Sequence, residues 1–194
     1  EGPEASGKSS QILLLKKYLI KNKISHLITR EPGGTKIAEQ LRDLILSNKS
    51  NIDNTEEILL LMAARYNHIN NIILPNLKKG KIVISDRFAD STFVYQGFVN
   101  NFGISNAKKM HKELLNNFFP DHTFIFNIQI KEIIKRLKQR KKKNKYDKID
   151  YNFHKKVISG YKNNDSQLEI LKHLTQYLEQ YYNIKTQDYY LDYY

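Results

Sequence analysis

Gly2-Pro3-Glu4-Ala5-Ser6-Gly7-Lys8-Ser9 fits G-x-x-x-x-G-K-[ST], the phosphate-binding P-loop. Each fixed position answers a physical demand. Gly2 and Gly7 permit backbone turns that a Cβ would obstruct. Successive N–H groups then converge into an anion nest. Lys8 brings a charge that reaches the β- and γ-phosphates, and Ser9 brings a hydroxyl for Mg²⁺. Downstream, Ile12, Leu13, Leu15, Leu19 and Ile20 recur at helical spacing, so a helix begins at Gly7 and turns its positive end toward the loop. The expected contacts to ATP phosphates are Gly2, Pro3, Glu4, Ala5, Ser6, Gly7, Lys8, Ser9 and Ser10. A loop of this kind follows a buried β-strand, and that strand is expected upstream of Glu1.

The bulk composition narrows the class. A chain of 194 residues with 40% apolar content suits a single domain with a substantial core. No apolar run approaches the ~18–20 residues of a membrane span. With no cysteine there is neither a disulfide nor a thiolate metal site, which is compatible with a reducing cytoplasm. The net charge of +12 allows two readings: a nucleic-acid surface, or a lysine-rich composition serving anionic phosphate substrates. The lysines are spread along the chain apart from one dense cluster, Arg136 to Lys148, and no nucleic-acid motif is present, so the second reading is preferred.

Beyond the first helix the chain alternates. Ser25–Arg30 reads as a short buried strand ending in Glu31-Pro32-Gly33-Gly34-Thr35, where open α/β sheets bind ligands. Thr35 caps a helix with Ile37, Leu41, Leu44 and Ile45 at helical spacing, and Arg42 lies on it. A long helix is expected from about Thr55 to Lys79, with an irregularity at Pro75 and Arg65 mid-way. Lys81–Ser85 is a second strand, closed by Asp86-Arg87, and an acid placed there beside a P-loop serves Mg²⁺. Helices are expected over Phe88–Phe98 and Ser105–Phe118, a third strand over Thr123–Ile128, and helices over Lys131–Arg140, Tyr151–Asn163 and Ser166–Tyr182. Alternation of this kind argues for an α/β fold in three layers, a central parallel sheet flanked by helices.

Four stretches together carry a resemblance: Glu1–Ser9, Thr29–Thr35, Ala63-Ala64-Arg65, and Asp86-Arg87-Phe88 leading to Ser91-Thr92 and Tyr95-Gln96. In order and spacing they resemble the bacterial thymidylate kinases, which are P-loop nucleoside monophosphate kinases, over nearly the whole chain. The resemblance implies a five-stranded parallel sheet, a homodimer, a cytoplasmic enzyme, and the reaction of ATP with dTMP to give ADP and dTDP. It implies Glu4 facing the acceptor's sugar, Arg42 and Arg87 clamping the dTMP phosphate, Arg65 on the thymine edge, Tyr95 near the sugar, Gln96 near the base, Pro32 in the acceptor site, and Ser9 and Asp86 at Mg²⁺. The P-loop carries no basic residue between Gly2 and Gly7, and the resemblance then implies the family arrangement in which a mobile basic lid, at about 136–152, supplies transition-state charge, with Arg140 and Lys148 as its catalytic cations beside Lys8 and Arg87.

Two departures from the family pattern bear on function. The lid reads Asp147-Lys148-Ile149-Asp150, with lysine where the family has arginine, which keeps the charge and loses the planar fork. The position that stacks on thymine is Leu61 in place of an aromatic, so a stacking contribution of about 1–3 kcal/mol is missing. Competing readings are another nucleoside monophosphate or deoxynucleoside kinase, and a basic nucleic-acid-binding P-loop protein.

Overall fold

The computed structural model describes residues 1–47, 50–140, 144–148 and 150–163. Helix α1 (Lys8–Lys21) leads to β1 (His26–Arg30), α2 (Lys36–Leu46) and α3 (Asn54–His68). The helix continues as a π-turn, Ile69–Ile73, into the short α4 (Leu74–Leu77), then β2 (Ile82–Asp86). Next come α5 (Ala89–Thr92) with a π-helical extension over Phe93–Val99, α6 (Ile104–Leu114), α7 (Ile130–Gln139) and α8 (Tyr151–Asn163).

Local chemistry sets the boundaries. The Thr35 side chain accepts from Ala38 N and starts α2. Asp53 and Glu56 form a reciprocal capping box that starts α3. The irregularity foreseen at Pro75 is the π-turn just before it, where the ring removes a donor and the helix widens to accommodate it.

β1 and β2 are parallel, in register from His26 opposite Ile82 to Arg30 opposite Asp86. Because both strands end together, with Glu31 N donating to Asp86 O at 3.0 Å, the Glu31–Thr35 loop and Arg87 emerge side by side. One core cluster joins Ile58, Met62 and Ile69 to Phe88 and Phe93, and a second joins Val94 and Tyr95 to Val157 and Tyr161 of α8. Gly160 allows that second approach, since a Cβ there would stand 2.8 Å from a Val94 methyl.

Three expectations are corrected. Thr123–Ile128 does not form a regular strand: Glu1 N donates to Phe124 O at 2.8 Å and Phe126 N to Glu1 O at 3.0 Å, a parallel bridge one residue deep, because Gly2 turns away at φ 130°. Leu13 and Ile20 on α1, Ile37 and Leu44 on α2, and Leu59 on α3 are exposed, because periodicity fixes a helix without fixing which side is covered. Within the span expected as a lid, Arg136–Gln139 belong to α7 and Tyr151 opens α8. The helix expected over Ser166–Tyr182 lies outside the described residues.

Candidate active site

The P-loop bends through positive φ at Gly2 (130°), Ala5 (55°) and Gly7 (99°), the alternation that turns backbone N–H groups inward. Gly2 has a second reason to be glycine, since a Cβ there would lie 2.9 Å from Phe126 O. Gly7 stands at the start of α1, whose free N–H groups face the loop. The Lys8 ammonium folds back into this cradle and donates to Gly2 O at 2.9 Å, Pro3 O at 2.7 Å and Ser6 Oγ at 3.3 Å.

Burial, and then the Arg87 charge, push the Lys8 ammonium down to about 7, against the pull of Glu4, Asp86 and Glu1. An unfolded chain keeps that proton up to the ordinary lysine range. The contribution of Lys8 to stability without nucleotide therefore rises with pH above about 7. Phosphate arriving in the cradle restores the charged form. Nucleotide binding at pH ~8.5 is thus expected to take up close to one proton, measured by calorimetry in buffers of different ionisation enthalpy. Lys8→Met should abolish the uptake, and equal uptake by variant and wild type would refute this account.

At the C-terminal end of β2, Ser9 Oγ donates to Asp86 Oδ2 at 3.0 Å. Two hard oxygen donors beside a phosphate cradle fit Mg²⁺, which takes few protein ligands and completes its shell with phosphate and water.

Next to the cradle is an open cleft of about 600 Å³. Glu4, Pro32, Arg42, Leu61, Arg65, Arg87, Tyr95 and Gln96, the eight residues assigned above to the acceptor, all line it. Arg87 takes a left-handed backbone, φ 73°, uncommon for a side chain of this size. From there its guanidinium donates to Gly2 O (3.0 Å), Ser91 Oγ (2.9 Å), Tyr161 OH (3.2 Å) and Glu4 Oε1 (2.8 Å). Tyr95 donates to the other Glu4 oxygen. Burial alone would raise the Glu4 carboxyl, but the Arg87 and Lys8 charges and the Tyr95 hydroxyl outweigh it and hold the group below the usual carboxylate range. Arg42 reaches in from α2 and donates to Pro32 O at 2.7 Å. Arg65, 3% exposed, gives Nε–H to Glu31 Oε2 at 2.6 Å and keeps its NH1 group without a hydrogen-bond partner among the described residues.

Of the two lid cations, Arg140 stands apart from the cleft lining; its NH1 donates to Asp147 Oδ1 at 2.6 Å. The Lys148 side chain lies outside what is described. Asn144 and Tyr146, which lie between the two in sequence, do line the cleft. Tyr146 and Lys145 both donate to Glu57 on α3, which also accepts from Gln96 at 2.5 Å.

Sequence reasoning did not single out Glu57, Tyr146, Lys145, Glu31 or Glu1. Glu57 and Tyr146 are 89 residues apart, with no local signal linking them. Glu1 accepts from Phe88 N at 2.5 Å and Ser91 Oγ at 2.6 Å and so fixes the turn that aims Arg87. Arg136, read only as part of a basic run, donates from α7 to the P-loop at Ala5 O, 3.2 Å.

The family model described as thymidylate kinase matches residues 1–180. The thymidylate kinase of Mycoplasma capricolum subsp. capricolum is 40% identical over 190 residues, covering 94% of this chain and 89% of the relative. That of Wolbachia pipientis wMel is 43% identical over 163 residues, covering 83% of this chain and 80% of the relative. The crystal structure of thymidylate kinase from Ehrlichia chaffeensis superposes with a TM-score of 0.68 at 31% identity, over 88% of this chain and 82% of that one. With the P-loop, the Ser9–Asp86 pair and the arginine-lined cleft in one fold, the chain belongs to the thymidylate kinase family.

Proposed function

We propose that this chain transfers the γ-phosphoryl group of ATP to dTMP, giving ADP and dTDP. The observation that carries the reading is that Arg42 and Arg87, from separate elements, line one cleft which shares Glu4 with the phosphate cradle. A clamp of two arginines suits a monophosphate acceptor and would have no role toward a neutral hydroxyl.

The chemistry asks for positioning more than for covalent help. An oxygen of the dTMP phosphate attacks the γ-phosphorus as the β–γ bridging oxygen leaves. That acceptor oxygen is already largely ionised at neutral pH, so no general base is required. Arg87 and Arg42 hold the acceptor phosphate, Lys8 and the loop N–H groups hold the donor, and Tyr95 with Glu4 borders the sugar. Ser9 and Asp86 would hold Mg²⁺, which would supply neutralisation of the charge on the phosphates.

Two further parts of the reading concern assembly and compartment. Ile37 and Leu44 on α2, and Leu59 and Tyr66 on α3, are exposed apolar side chains on adjacent helices, a face that supports a homodimer. Tyr66→Glu is expected to halve the mass seen by sedimentation, and a monomeric wild type would overturn the assignment. No helix among the described residues is long and apolar enough to cross a membrane, and a cytoplasmic site of action accords with the absence of cysteine.

The deciding experiment is ADP production from ATP–Mg²⁺ with dTMP, dUMP, dCMP, dGMP, UMP and thymidine as acceptors. Selective turnover of dTMP is expected. Turnover of thymidine without dTMP would remove the clamp role from Arg42 and Arg87. No turnover with any acceptor, together with steeply salt-dependent DNA binding, would favour the nucleic-acid reading.

A further inference from the structure

We infer that Glu31 and His68 are positioning residues that aim the free arm of Arg65 and thereby set which base the cleft accepts. The inference rests on the assignment of this cleft to dTMP. Arg65 Nε–H donates to Glu31 Oε2 at 2.6 Å, and NH2 donates to Phe88 O at 3.0 Å and Thr92 Oγ1 at 2.9 Å. The guanidinium carbon lies 5.1 Å from the centre of the Phe88 ring. A guanidinium is planar, so fixing Nε and NH2 fixes where NH1 points. NH1 is the arm left without a partner, on a residue that lines the cleft.

A carboxylate holding one oxygen on Arg65 still turns about its own side chain unless the second oxygen is pinned. His68 pins it: its Nδ1 lies 2.9 Å from Glu31 Oε1. The carboxylate accepts, so Nδ1 carries the proton, and Nε2 is held in turn by a hydrogen bond with Thr29 Oγ1 at 2.7 Å. The ring is fully buried and does not line the cleft, so it acts through Glu31. Gly34 closes the arrangement. Its φ is 86°, and a Cβ there would stand 2.6 Å from His68 Cδ2 and Nε2 and 2.8 Å from Thr29 Oγ1. The second glycine of Pro32-Gly33-Gly34 therefore makes room for the ring that aims the arginine. His68 is also the last residue of α3, immediately before the π-turn.

An N–H donor in the cleft prefers a base carbonyl to an exocyclic amine, so the selectivity at stake is dTMP over dCMP. The test is steady-state kinetics of the full chain carrying His68→Leu, His68→Asn or Thr29→Val. His68→Leu is expected to raise KM for dTMP about 10-fold or more while kcat and KM for ATP stay within about 3-fold, and to shrink the dTMP:dCMP preference by a similar factor. His68→Asn places an amide N–H where Nδ1–H stands and is expected to stay within about 3-fold of wild type. Should His68→Leu fail to fold, Thr29→Val, which removes one hydroxyl, carries the test through a rise of about 3-fold or more in KM for dTMP. Unchanged KM and selectivity in a folded His68→Leu or Thr29→Val, or His68→Asn as impaired as His68→Leu, would overturn the inference. Failure of the wild type to phosphorylate dTMP would instead overturn the proposed function.

Discussion

Arg87→Ala is expected to lower kcat/KM for dTMP roughly 10³-fold and to destabilise the fold by about 3–5 kcal/mol. Both effects come from one guanidinium. Its removal would take away the proposed clamp on the acceptor phosphate and leaves the buried Glu4 carboxylate without its nearest counter-charge. Ser91, Tyr161 and the Gly2 carbonyl lose their shared donor at the same time. Alanine does not relieve the backbone, because position 87 keeps its left-handed φ of 73°. Pairing the change with Glu4→Gln separates the two effects. The double variant should recover part of the lost stability in urea denaturation, since no orphaned charge remains, and none of the lost activity. Recovery of activity along with stability would show that Arg87 acts only on the fold.

Arg140→Ala is expected to lower kcat roughly 10³-fold with KM for dTMP nearly unchanged, the signature of a charge used in the transition state. Arg140 is held by Asp147, whose own side chain is 1% exposed and whose second oxygen accepts from Asn144 N at 3.1 Å. The guanidinium is thus held on Asp147 with its side chain 48% exposed, close in sequence to Asn144 and Tyr146, which line the cleft. On this reading Arg140 would exchange Asp147 for phosphate oxygens during transfer, while Arg136, on the helix α7 that precedes it, already donates to the P-loop at Ala5 O. An unchanged kcat would remove Arg140 from the mechanism. A change in KM alone would make it a ground-state contact.

What the sequence made legible follows from how local each feature is. Lys8, Ser9, Asp86 and Arg87 sit in short motifs whose spacing is itself the geometry, so the Ser9–Asp86 contact was foreseeable although 77 residues separate the partners. Thr35 and the helix it starts were readable from the cap, and both strands from their apolar runs. Contacts that depend on two distant helices were not. Glu57 looked like one more acid in the first turn of a helix, yet it is buried and gathers Gln96, Tyr146 and Lys145. His68 sits at the end of α3 in no motif, and its contact with Glu31 is visible only in the fold. Leu13, Ile37 and Leu59 are exposed, which their spacing could not show, because an apolar stripe has the same sequence signature whether it meets a core or another surface.

The π-turn at Ile69–Ile73 adds a consequence for how this chain tolerates changes of length. A π-turn holds one more residue than the α-helix around it, and each residue of an α-helix advances about 100° around the axis. Deleting one residue there, so that the helix runs on as α, leaves Arg65 and His68 in place and keeps Leu74–Leu77 close to their present orientation, because the wide turn already contains the residue removed. The second π segment, Phe93–Val99, likewise follows Ser91 and Thr92. In both helices the spare residue lies after the first cleft-facing side chains. A one-residue insertion or deletion is therefore absorbed in the wide turn, and the register of the side chains before it is set by the Asp53–Glu56 cap for Arg65 and by β2 for Ser91 and Thr92.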